Sequence, residues 1–257
     1  MSSDIGTLAW MHETGGELLP RETRRLLLKG LILQLKLLPE QWFYRMGLRQ
    51  PRKLNLTLDA LKPPDSAAAG RAVALCREAS AEYLWRHCER SYLWGRILAA
   101  LYGLSVDEEL LYVAAMLHDL GLTETYGAAV ERPRCFTQIG ADHAKEILQG
   151  AGWEQRRSDA VQEAITLHLN LAVDLAHGPE AHLLNQATAL DVTGLRIWKL
   201  HPELIGQVFA QHPRCGQNAA LAACWSAEAK RFPRSRAGWL ETNLKFSRRA
   251  SAAPFED

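Results

Sequence analysis

Two histidines and two carboxylates stand where apolar helical stretches end. His87 follows Tyr83, Leu84 and Trp85; His118 and Asp119 close "LLYVAAML"; Asp191 closes "LLNQATAL". Burying such groups is costly unless something satisfies them. One divalent cation satisfies all four together. Imidazole and carboxylate without a thiolate suit Fe2+, Zn2+, Mn2+, Ni2+ or Co2+ and do not choose among them. Such an ion acidifies water and supplies a nucleophile near neutral pH, and a carboxylate such as Asp119 can orient that water or relay its proton. Adjacent residues are about 100° apart on an ideal helix. His118 and Asp119 therefore reach one ion only where their helix ends, and Gly121 permits that ending. His168 closes a further apolar stretch, "AITL".

These residues need helices to position them, and helices are what the chain offers. From residue 66 onward the apolar spacing predicts helices over roughly 66–80, 81–102, 106–119, 140–151, 156–170, 180–191 and 199–211, with no run of alternating β-branched residues. The fold class expected is all-α. Pro63-Pro64 ends what precedes, and Asp65 or Ser66 can cap the next helix; Ser105, with Glu108 three residues on, reads as another cap. The expected organisation is an N-terminal basic helical extension (1–60), a main helical domain (61–231) and a polar, Arg-rich C-terminal tail (232–257) that frays after Trp239.

The extension has its own character. Residues 21–53 hold nine Lys/Arg against Glu22 and Glu40, around "LLLKGLILQLKLL", which stops at Pro39. A bilayer-spanning helix needs about 20 apolar residues, so this stretch is too short to cross. It reads as a helix covering apolar surface of the main domain or of a second subunit, with snorkelling basic stems. Peripheral contact with an anionic membrane, Trp42, Phe43 and Tyr44 at the interface, is the alternative.

The 257 residues suffice for a sizeable core, and a formal charge of +1 argues against nucleic acid as a partner. Five cysteines with no CxxC pair make neither a disulfide framework nor a thiolate zinc site. Asp4, His12, Glu13 and Glu17 interrupt any signal-peptide pattern in the first thirty residues. A reducing, cytoplasmic location is the expectation.

The pattern "H…HD…D", as His87, His118-Asp119 and Asp191, resembles the HD superfamily of metal-dependent hydrolases. The surrounding stretches sharpen it. "HCERSYLWG", "EELLYVAAMLHDLGLTE", "FTQIGAD", "AITLH" and "LDVTG" are similar to the cyanamide hydratase-like branch, over roughly residues 65–215. Phosphohydrolases of the superfamily read HDIGK, whereas Leu122-Thr123 stand here where the lysine would follow. Cys88 replaces the branch's Ser or Thr, Thr137 its Glu, and His143 an expected Ala. The resemblance implies an HD-domain helical bundle holding one divalent transition metal, iron or zinc first, on His87, His118, Asp119 and Asp191. It implies Arg90 as a substrate anchor or a support of the ligands, and His168 as a pocket group bonding water or substrate. A second metal is not expected, because the chain lacks the His-His pair of dinuclear forms.

The function expected is metal-assisted addition of water to a small cyanamide- or nitrile-like molecule. Basic residues are few: Arg90 on the motif helices, with Lys145, Arg132 and Arg134 as helpers. A phosphate needs several. Nucleotide or phosphoester hydrolysis is the second reading, and a non-catalytic metal-containing sensor or scaffold the third. The sequence leaves open both assembly into homo-oligomers and gating of the site by residues 121–137.

Overall fold

The computed structural model describes residues 4–127 and 134–257. Among them are thirteen α-helices, four short 3-10 turns and no strand beyond an isolated bridge between Arg52 and Leu200. The centre is a packed pair, α4 (Glu82–Tyr102) along α9 (Pro179–Thr193). Around it lie α3 (Ala67–Ala79), α5 (Glu108–Leu117), α7 (Phe136–Gly150) and α8 (Gln155–Leu167). α5 is the most apolar of these, and all its residues from Leu110 to Leu117 are buried. A helix apolar on every side belongs inside a bundle, and α5 packs against α3, α4, α7, α8 and α9. Trp94, Ile97, Leu98, Leu111 and Leu183 are fully enclosed in the core these helices share.

Ser66 caps α3, accepting from the Ala69 amide at 3.1 Å. The cap of α5 is Asp107, which accepts from the Leu110 amide at 3.0 Å, two residues beyond the Ser105 expected from the sequence. Asp107 also holds a bidentate contact with Arg157. That tertiary partner fixes which polar residue stands at the helix start.

The ends of the chain depart most from expectation. Residues 232–257 do not fray: α12 (Arg236–Leu244) and α13 (Phe246–Ser251) fold back on α11 (Gln217–Arg231). Trp239, Leu240, Trp225 and Phe232 form a second core with Trp10 and Met11 of α1 (Leu8–Thr14). Apolar groups spaced too irregularly to mark a helix face thus find partners from the opposite end of the chain.

α2 runs from Pro20 to Arg45 without stopping at Pro39. A proline inside a helix removes one hydrogen bond; here the carbonyl four residues back belongs to Leu35, which is exposed and open to water. One face of α2 meets the bundle through Leu26 and Gly30, both buried, and Glu40 pairs with Lys199 at 2.9 Å. Glu22 accepts from the Trp10 indole at 2.9 Å. The opposite face leaves Leu28, Leu31, Leu35, Leu38 and Trp42 more than half exposed. Among the described residues no helix is long and apolar enough to cross a membrane.

Candidate metal centre

α5 ends at Leu117, His118 is its C-cap, and Asp119 leaves the helical path at φ −106°, ψ 10°. This break aims two neighbouring side chains at one point. Gly121 is required for a reason other than a positive φ. A Cβ there would lie 2.9 Å from the Phe136 Cα and in hard overlap with the Phe136 carbonyl. The chain after the His-Asp pair passes directly under the start of α7. Gly121→Ala is expected to force these backbones apart, costing about 1–3 kcal/mol and lowering metal content along with the denaturation midpoint. Unchanged stability with full metal content would refute this account of Gly121.

His87 projects from α4 and meets His118 and Asp119. The ligating atoms of these three residues all lie within 4.8 Å of one another, and all three side chains are buried. The Nε2 atoms of His87 and His118 are 3.2 Å apart. Asp119 Oδ2 lies 3.2 Å from His118 Nε2 and 3.6 Å from His87 Nε2. His168, the C-cap of α8, brings its Nε2 to 3.7 Å from Asp119 Oδ1.

The other ring nitrogens decide what this cluster is. His87 Nδ1 lies 2.7 Å from Asp191 Oδ2, His118 Nδ1 lies 2.8 Å from the Ala115 carbonyl, and His168 Nδ1 lies 2.6 Å from the Ile165 carbonyl. Each partner is an acceptor, so each Nδ1 must carry the proton and donate. In a neutral imidazole the other nitrogen is then a lone pair. Three such lone pairs and the Asp119 carboxylate face one another with no donor among them. Burial lowers the His118 pKa but Asp119 outweighs it, so the net shift is upward. Burial raises that of Asp119, His118 outweighs it, and the carboxyl stays ionised far below its ordinary range. A proton on His118 satisfies one pair and leaves the other two imidazoles unanswered. Burial, reinforced by His118, pushes His168 down to about 3. Burial likewise lowers His87. Neutral imidazole nitrogens beside an ionised carboxylate are the donor set a divalent cation takes.

Asp191 stands one layer back. Its Oδ1 accepts from Arg90 Nε and Trp94 Nε1, both at 2.8 Å; its Oδ2 accepts from His87 Nδ1 and from Gln217 Nε2 at 3.0 Å. Burial would raise its pKa, but Arg90 and His87 hold it well below the carboxylate range. Asp191 reaches the cluster through His87, the arrangement in which a carboxylate fixes the tautomer of a metal-binding histidine. Arg90 is fully buried and turned away from the cavity. Besides Asp191 it bonds the His212 and Pro213 carbonyls at 3.1 and 2.8 Å, and Gln217. The structure thus gives Arg90 no opening to a substrate. His143 lies outside the cluster, 3.3 Å from Glu146 and against the Tyr126 ring.

The cluster forms the floor of a cavity of about 180 Å³. Sequence reasoning missed most of its walls: Asn185 and Thr188 from α9, Trp225 from α11, and Leu33 and Leu37 from α2. Asn185 lies six residues before Asp191 on the same helix, a signal too weak to separate from core. Of the basic helpers, Arg134 is held by Asp142, Lys145 lies 3.8 Å from Asp159, and Arg132 is outside the described residues, as are the other residues of 128–133 within the 121–137 stretch.

Residues 84–193 match the family model described as HD domain. The chain carries an HD domain. That HD domain contains His87, Arg90, His118, Asp119, His168 and Asp191, whereas Leu33, Leu37 and Trp225 lie outside it. The chain is also 30% identical over 129 residues to two Saccharomyces cerevisiae proteins, cyanamide hydratase DDI2 and cyanamide hydratase DDI3. The match covers 50% of this chain and 56% of each relative, so the chain spans about half the length of the curated relatives it matches.

Proposed function

We propose that this HD-domain protein is a metal-dependent enzyme that adds water to a small, uncharged electrophile of the cyanamide or nitrile kind. The observation carrying this reading is the convergence of three imidazole lone pairs and one ionised carboxylate at the floor of a cavity whose described walls hold a single cationic side chain, Arg249. A nucleotide or phosphoester would leave its charge largely unanswered there. The yeast relatives' names point to the same chemistry.

His87, His118 and Asp119 would hold the ion. A divalent cation supplies Lewis acidity that makes water a nucleophile near neutral pH. Asp119, with Oδ1 turned toward His168, would orient the attacking water and relay the proton that it loses to the nitrile nitrogen without holding it. His168 is a neutral imidazole at neutral pH, with its Nδ1 proton committed to the Ile165 carbonyl. Its role is to accept a hydrogen bond from water and aim the oxygen, without donating a proton. The balance is R–C≡N plus H2O giving R–C(=O)NH2 through the imidic acid.

One assay under one set of metal conditions tests the reading: cyanamide and simple nitriles against nucleotides and generic phosphoesters. Metal-dependent amide or urea formation is expected. Turnover of phosphoesters alone would transfer the site to the phosphohydrolase class. His168→Ala is expected to lower kcat by about 10²-fold with metal content intact; loss of metal would make His168 a ligand instead.

A further inference from the structure

The cavity is larger and more apolar than cyanamide requires. Its floor belongs to the HD domain, but much of its wall does not: Leu33 and Leu37 come from α2, Leu221 and Trp225 from α11, Leu244 from α12 and Phe246 from α13. Most polar side chains within it, Gln34 and the outer end of the Arg249 guanidinium apart, have partners elsewhere. Asn185 donates to the His168 and Asn170 carbonyls at 2.8 and 2.6 Å. Asn170 donates to the Ile5 carbonyl and accepts from Arg236. Thr188 and Thr193 donate back into their own helix. Arg249 bonds the Leu244 carbonyl. Beyond the metal cluster, the groups offered to a ligand are chiefly hydrocarbon.

We infer that the substrate carries an apolar tail, running from an uncharged reactive head at His87, His118 and Asp119 into the space between α2 and α11–α13. A cavity near 180 Å³ holds about seven non-hydrogen atoms in all, by comparison with apolar cavities of about 150 Å³ that take an aromatic ring, so with the head at the floor it leaves room for a tail of about four carbons. Cyanamide fills only the floor. The class is a short N-alkyl cyanamide or a nitrile of similar bulk, hydrated as R–NH–C≡N plus H2O giving R–NH–C(=O)–NH2. This rests on the hydration reading above, and the flanking segments, outside the matched HD segment, set the specificity.

The test is calorimetric binding of n-alkylureas, methyl to octyl, to the metal-loaded protein, beside turnover of the matching cyanamides. Each buried methylene is expected to lower Kd about fourfold, the ratio equivalent to ~0.8 kcal/mol, until the tail reaches about four carbons, where the gain levels off. Leu37 is half-buried at the α2 edge of the cavity. Leu37→Trp should end the gain at a shorter tail, and Leu37→Ala should extend it, with metal content unchanged in both. Affinity independent of tail length, or Leu37 variants that leave the profile unmoved, would overturn the inference even if cyanamide is hydrated. Tail-dependent binding with no turnover of any cyanamide or nitrile would uphold the tail and remove the hydration reading.

Discussion

Asp119→Ala should leave the purified protein with little metal and lower its turnover by about 10³-fold or more. The carboxylate is the only anion among the three residues whose ligating atoms converge. Without it the two imidazoles must hold a divalent ion with no charge compensation in a buried site. Metal analysis after supplementation of parent and variant reads the result, and a full equivalent of metal in the variant would refute the assignment. The same geometry gives a pH dependence. A proton on His118 competes with metal, and Asp119 raises that pKa above the ordinary imidazole value of ~6.5. Metal retention is therefore expected to weaken with acidification at a higher pH than for an isolated histidine site, and to strengthen as His118 deprotonates.

Arg90→Met is expected to destabilise the protein by about 3–5 kcal/mol, the scale for removing one partner of a buried ion pair. For a chain of this size that is a fall in melting temperature on the order of 10 °C. Asp191 would keep His87, Trp94 and Gln217 as donors but lose its two nearest guanidinium bonds, and the Arg214 guanidinium is 3.9 Å away. The His212 and Pro213 carbonyls would lose their donor as well. Lysine should not rescue, because one ammonium cannot reach Asp191, Gln217 and both carbonyls as the planar fork does. Because Asp191 fixes His87, metal affinity should fall with stability. A variant of parental stability and metal content whose KM alone rises would return Arg90 to the role of substrate anchor.

The motifs were legible because they are local. "HDLG" must end a helix to aim His118 and Asp119 together, and the helix does end there. "HCERSYLWG" places His87 and Arg90 one turn apart, and both face Asp191. What spacing could not reveal is which atom faces which. Sequence made Asp191 a ligand equal to the others. In the fold its two oxygens are shared among Arg90, Trp94, Gln217 and His87, and Gln217 comes from a helix the apolar pattern did not announce. Gly121 was rightly singled out for the wrong cause: backbone contact with Phe136, a partner fifteen residues away, excludes a side chain there.

By itself the sequence determined the all-α class, the helices that carry the motifs and the residue types at the metal centre. Helix periodicity and donor chemistry depend only on neighbours along the chain. Tertiary structure alone decided the tautomer of His87, the withdrawal of Arg90 from the cavity, and the union of α2 and α11–α13 around it. Those features depend on residues more than a hundred positions apart. A proton settles on Nδ1 only when an acceptor is placed beside it, and an apolar wall forms only when helices from both ends of the chain bury their leucines against the same space.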